Sequence, residues 1–197
     1  IRPVVSALLE AGCRSFAVAC LEEAVALRRL LRELLTGTAS DLETDILVLG
    51  YTDPKNAPIL AAYHISTALL SAEYAFRLLA CAEEARVTVK GHIALDTGMN
   101  RIGFPAHGET EIAQTVADLT ALFGRTGRYS PAEKRGGLRL AGIFTHFAEA
   151  DGEPWTGTLS ESLLTEEIPA DITLSHAEAR TLEQYRRYAA VLEGLRA

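Results

Sequence analysis

This sequence has no basic excess: 19 Lys and Arg stand against 26 Asp and Glu, a formal net charge of −7. A surface of that sign repels a phosphate backbone, so nucleic acid is not the expected partner. Cysteine is sparse and odd in number. Cys13, Cys20 and Cys81 make no C-x-x-C pair, which argues against a zinc site or a disulfide scaffold and for reduced, packing thiols in the cytoplasm. Long hydrophobic runs are missing as well. The apolar stretch 57–71 is broken by Pro, Tyr, His and Ser and falls short of the roughly 20 apolar residues of a membrane helix, so no membrane partner is expected. Lysine is scarce, with only Lys55, Lys90 and Lys134.

What is present is apolar and patterned. A 48% hydrophobic content over 197 residues fills one domain of the usual ~100–200 residues, assigned to residues 1–197. The chain opens at Ile1 directly on an amphipathic helix and closes on another with no strand after it, the pattern of a segment that begins and ends in mid-fold. Short β-branched runs alternate with helix-period segments, as in βα units around a parallel sheet. Strands are expected at Ser15–Ala19, Asp45–Leu49, Ile65–Leu70, Gly91–Asp96 and Leu140–His146. Helices are expected at Pro3–Ala11, Leu21–Leu35, Lys55–Tyr63, Ala72–Arg86, Thr110–Phe123 and Ala177–Gly194. The tracts Gly124–Gly137 and Gly152–Ser175 break the rhythm and read as surface excursions. A closed eight-stranded βα barrel needs about 250 residues, so the choice is an open doubly wound sheet or an incomplete barrel.

Two strand ends carry polar groups. The first strand ends in Asp96-Thr97-Gly98-Met99-Asn100-Arg101-Ile102-Gly103. The carboxyl end of a parallel strand is where ligands sit, and an arginine there can hold an anion. The same pattern is equally consistent with Asp96 capping a turn and Arg101 lying in solvent. The second strand delivers His146 between Thr145 and Phe147; a lone histidine in that position is more often a hydrogen-bonded rim residue than a catalyst. Ile46-Leu47-Val48-Leu49-Gly50 reads only as a buried parallel strand.

In order, these segments resemble the alanine racemase family. Residues 96–103 are similar to its D-T-G-M-x-R-x-G signature, and Thr145-His146-Phe147-Ala148-Glu149-Ala150-Asp151 to its T-H-F-A-x-A-D. The resemblance implies an α/β fold, a partial pyridoxal phosphate (PLP)-binding (β/α)8 barrel of TIM type with about strands two to six. It implies PLP as cofactor, with Leu49 beside the ring, His146 against the pyridine face, and Arg101 on the phenolic oxygen and the substrate carboxylate. Asp151 is similar to an acidic residue of the substrate corridor. The complete protein would be a bacterial, cytoplasmic homodimeric isomerase acting on a small amino acid, interconverting L- and D-alanine for peptidoglycan.

The sequence also departs from the family. None of the three lysines matches the family's Schiff-base lysine, which follows the first barrel strand, and the tyrosine base belongs to a carboxyl-terminal domain. The chain by itself is therefore expected to be inactive. Ala94 stands where many members carry a lysine, often carbamylated, that orients the arginine. In its absence, water or an anion is expected over Ala94, or a turn of Arg101 toward Asp96 or another carboxylate. Serine as substrate, a non-catalytic PLP-binding barrel and an inactive module are the alternative readings.

Overall fold

The computed structural model describes residues 1–36, 43–126, 136–150 and 175–196. Helix α1 (Arg2–Glu10) leads into β1 (Ser15–Val18), α2 (Leu21–Leu34) and β2 (Asp45–Val48). A 3-10 turn at Pro54–Asn56 then precedes α3 (Ala57–Ala62), β3 (Ser66–Leu69), α4 (Ala72–Glu84) and β4 (Thr88–Asp96). A two-residue β5 (Phe104–Pro105), α5 (Glu109–Thr126), β6 (Gly137–Thr145) and α6 (His176–Arg196) complete the order. All strand pairs are parallel, β1 to β2 to β3 to β4, with β6 along β4. Leu95 of β4 pairs with Phe104 of β5 as well as with Thr145 of β6. A residue pairs once on each side, so β5 continues the β3 side of β4. The described strands form an open arc, the incomplete barrel expected from the sequence.

Local chemistry explains the elements. In α2, Leu21, Ala24, Leu27 and Leu31 recur at helical spacing and are buried, while Glu22 and Glu23 occupy the first turn, where the helix dipole favours them. Ser71 Oγ accepts the Tyr74 N–H at 3.1 Å and caps α4. All four residues of β3 are buried, as a strand covered on both faces requires. Ile46, Val48, Leu69, Val89, Ile93 and Leu95 join Leu31, Leu60, Leu78 and Leu119 in one core between sheet and helices.

The differences from the sequence expectation lie at element ends. β4 starts at Thr88 and β6 at Gly137, earlier than Gly91 and Leu140, because Thr88, Lys90 and Arg139 are polar residues on strands whose concave face is open. The expected helix Lys55–Tyr63 splits, since Asp53 Oδ1 accepts the Lys55 N–H at 2.9 Å and starts a tighter turn before Pro58. β5 was not expected, being only two residues long. Of the tract Gly152–Ser175, read as a surface excursion, residues 152–174 lie outside the described residues. Among the described residues no helix is long and apolar enough to cross a membrane.

At the amino ends of the strands the concave face encloses a cavity of about 700 Å³ lined by Ser15, Asp45, Lys90, His92 and Arg139 among others. Lys90 Nζ lies 3.3 Å from Asp45 Oδ1 there, at the end away from both motifs, as the sequence indicated. Beside them the His92 pKa is lowered by burial, partly offset by Asp45.

Candidate functional site at the carboxyl rim

Register determines how the rim is built. Val48 lies opposite Thr67, and Thr67 opposite Gly91, yet β4 runs on to Asp96 and β6 to Thr145. The carboxyl rim therefore climbs along the arc, as the tilted, staggered strands of a barrel demand. Leu49, the 97–103 turn and His146 all lie on that rim, just beyond the ends of β2, β4 and β6.

The turn after β4 is organised by Asp96. Its Oδ1 accepts the backbone N–H of Gly98 at 3.1 Å and of Asn100 at 2.9 Å, and Asn100 adopts φ +57°. His107 Nε2 is 3.2 Å from the same oxygen, close enough to pair electrostatically but without the alignment of a hydrogen bond. The other ring nitrogen, Nδ1, lies 2.9 Å from Glu111 Oε2. Burial pushes the Asp96 pKa up, but the Asn100 and Gly98 amides and His107 outweigh it and hold the carboxyl below its ordinary value. Asp96 is thus committed to the turn. It does not pair with Arg101.

Arg101 is exposed and makes no hydrogen bond or ion pair with any described residue. The expectation for the space over Ala94 concerns Arg101 buried in the complete protein, whereas in this chain Arg101 is exposed. Ala94 is 2% exposed and sits opposite Phe144 on β6. His146 is exposed, its carbonyl oxygen accepting from Gln184 Nε2 at 3.3 Å. Leu49 is 39% exposed, and Tyr51 and Ile102 also leave apolar surface open on this rim. Asp151 lies outside the described residues. The rim presents an exposed guanidinium, an exposed imidazole and apolar side chains, a set suited to a flat, anionic ligand.

Sequence reasoning missed Gln184. It gave only a helix over Ala177–Gly194, and on that helix Gln184 is only 3% exposed. Arg180, Gln184 and Arg187 recur at helical spacing, a polar pattern that in sequence reads as a solvated face, yet all three bond residues of the motif loops. Arg180 pairs with Glu149, Arg187 Nη1 donates to the Thr97 carbonyl at 2.8 Å, and Tyr188 Oη donates to the Ile143 carbonyl at 3.2 Å.

Comparison with known proteins agrees with this geometry. Residues 1–196 match the family model described as alanine racemase, N-terminal domain. The alanine racemase of Limosilactobacillus fermentum is 38% identical over 157 residues, 78% of this chain and 35% of that protein. That of Carboxydothermus hydrogenoformans is 32% identical over 187 residues, 95% of this chain and 42% of that protein. The chain thus spans 35–42% of the length of these relatives. Among solved structures, alanine racemase from Clostridium difficile 630 superposes with a TM-score of 0.65 at 24% identity, covering 98% of this chain and 38% of that one. The alanine racemase of Bacillus anthracis with bound L-Ala-P gives 0.61 at 25% identity, with the same coverage.

Proposed function

The chain belongs to the alanine racemase N-terminal domain family, and from that premise we propose that it forms the cofactor-seating part of a PLP-dependent racemase. Alanine is the substrate in this reading, and the complete protein is a cytoplasmic homodimer supplying D-alanine. The single observation that carries it is Arg101, a guanidinium left without a partner among the described residues at the rim where parallel strands bind ligands. Structural arginines on a rim are usually satisfied by their own chain. In this reading the guanidinium is held by a ligand.

The residues fit PLP chemically. The cofactor is planar and carries a phenolic oxyanion, and Leu49, His146 and Arg101 offer an apolar contact, a flat ring and a forked cation. Bound there, PLP supplies an electron sink for negative charge on the substrate α-carbon. His146 would hold the ring plane, Leu49 would keep water from one edge, and Arg101 would donate to the phenolic oxygen and the substrate carboxylate. Asp151 would line the approach to the site. Asp96, engaged by Gly98 and Asn100, holds the turn that carries Arg101.

The test uses the complete protein that contains residues 1–197, with L-alanine and L-serine supplied separately and loss of optical activity followed by circular dichroism. Racemisation faster with alanine supports the reading. Faster racemisation of serine corrects the substrate, and cofactor binding without racemisation of any amino acid overturns the enzyme assignment in favour of a PLP-binding barrel protein.

A further inference from the structure

Gln184 sits on α6 where the helix crosses both motif loops, and every hydrogen-bonding capacity of its carboxamide but one lone pair is used. Its Nε2 donates to Thr97 Oγ1 at 3.2 Å and to the His146 carbonyl at 3.3 Å. Its Oε1 accepts the Ala148 N–H at 2.9 Å. That last bond fixes which end of the amide is nitrogen, since an N–H needs an oxygen opposite it. Thr145 Oγ1 donates to the Leu95 carbonyl at 3.0 Å and lies 2.7 Å from Thr97 Oγ1. The protons therefore run in one direction, from Gln184 through Thr97 and Thr145 to the end of β4.

We propose that Gln184 is a positioning residue, a clamp that holds the Arg101-bearing turn after β4 and the His146 loop after β6 in fixed relation. One side chain bonds Thr97 at the start of the first loop and both His146 and Ala148 in the second. Arg187 reinforces the first contact through the Thr97 carbonyl, and Arg180 the second through Glu149. Arg101 and His146 themselves are exposed and gain no order from packing, so their separation is set by the backbones beneath them. A buried network that is fully satisfied is rigid, and one that loses a member leaves several polar groups unpaired at once. Its catalytic consequence rests on the racemase reading. The clamp itself does not.

The experiment compares Gln184→Met with Val191→Ala in the complete protein. Methionine keeps length and burial but removes all three bonds; Val191 is fully buried on the same helix and touches neither loop's hydrogen bonds. Two measurements are made: hydrogen exchange without cofactor, and kcat and KM with cofactor and alanine. In Gln184→Met, amides of residues 97–103 and 146–150 exchange at least about tenfold faster while those of β3 do not change, and Val191→Ala leaves both loops protected. With cofactor, Gln184→Met loses about 10- to 100-fold in kcat, the scale expected when catalytic groups are displaced by about 1 Å, and Val191→Ala does not. If the wild type shows no racemase activity, the functional reading fails and the exchange data alone decide the clamp. Unchanged loop exchange in Gln184→Met overturns it, as does an active protein whose Gln184→Met variant keeps its kcat.

Discussion

Gly103 lies against the backbone of Asp96 so closely that a methyl group on it would fall 2.6 Å from the Asp96 amide nitrogen and 2.9 Å from the Ala94 carbonyl oxygen. The glycine also holds φ +129°, outside the range that side chains tolerate. This contact lets the chain turn back after Arg101 and lay Phe104 beside Leu95 as β5. The second glycine of the motif is therefore a condition of the loop's shape.

Gly103→Ala is expected to cost about 2 kcal/mol or more, from backbone strain and from pushing β5 off β4. Urea unfolding of the variant against wild type measures it. A loss below about 0.5 kcal/mol, the scale of ordinary surface substitutions, would contradict the close approach.

Asp96 gives a pH signature. Its pKa is held below the ordinary value of 3.8, so its contribution to stability is full above that value and is lost as pH falls through the lower folded-state value. Asp96→Asn keeps an oxygen that can accept the Gly98 and Asn100 amides but removes the charge. The variant is expected to be less stable by about 1 kcal/mol at neutral pH, the difference between a charged and a neutral acceptor. The gap should begin to shrink as pH drops below about 3.8 and close once pH lies below the lowered folded-state value, where the native carboxyl is protonated too. Denaturant titrations across that range check the sign, and a gap that widened in acid would refute it.

Much of this was legible in the sequence, and the reason is periodicity. β-branched runs alternating with helical segments fix a parallel βα arrangement, and the polar turns at the ends of β4 and β6 stand out because they interrupt apolar runs. Residues whose roles depend on distant partners were not legible. Gln184 looks like a surface residue until its helix is laid over Thr97 and His146. Arg28, in the apolar stripe of α2, is fully buried and donates to the carbonyls of Tyr63, Thr44 and His64. No local pattern announces such a donor, since its acceptors come from two other segments. His107 was missed for the same reason: its link to Asp96 exists only once β5 folds back.

The lysines make a chemical prediction for the 197-residue chain alone. Lys90 is paired with Asp45 at the amino ends of the strands, and Lys55 is exposed on the 3-10 turn. Neither is held against the Arg101 and His146 loops. Incubation with PLP, borohydride reduction and peptide mapping should give scattered, substoichiometric labelling, with no racemisation of alanine. One lysine modified stoichiometrically would overturn this expectation.

Arg101 and the fold can be separated by substitution. Because its guanidinium bonds no described residue and is exposed, Arg101→Ala should shift unfolding free energy by no more than about 0.5 kcal/mol, as an ordinary surface change does. In the complete protein the same change should lower kcat/KM for alanine by about 100-fold or more, since a preorganised donor aimed at developing or bound negative charge is worth that much. Arg101→Lys restores the charge but not the two-pronged donor geometry. It should recover only part of the loss, mostly in KM, because a point charge attracts a carboxylate without fixing its orientation. Thermal unfolding and steady-state kinetics on the same preparations decide between ligand and scaffold roles. If Arg101→Ala loses stability in step with activity, the side chain serves the fold, and the argument that it is free to hold an anion fails.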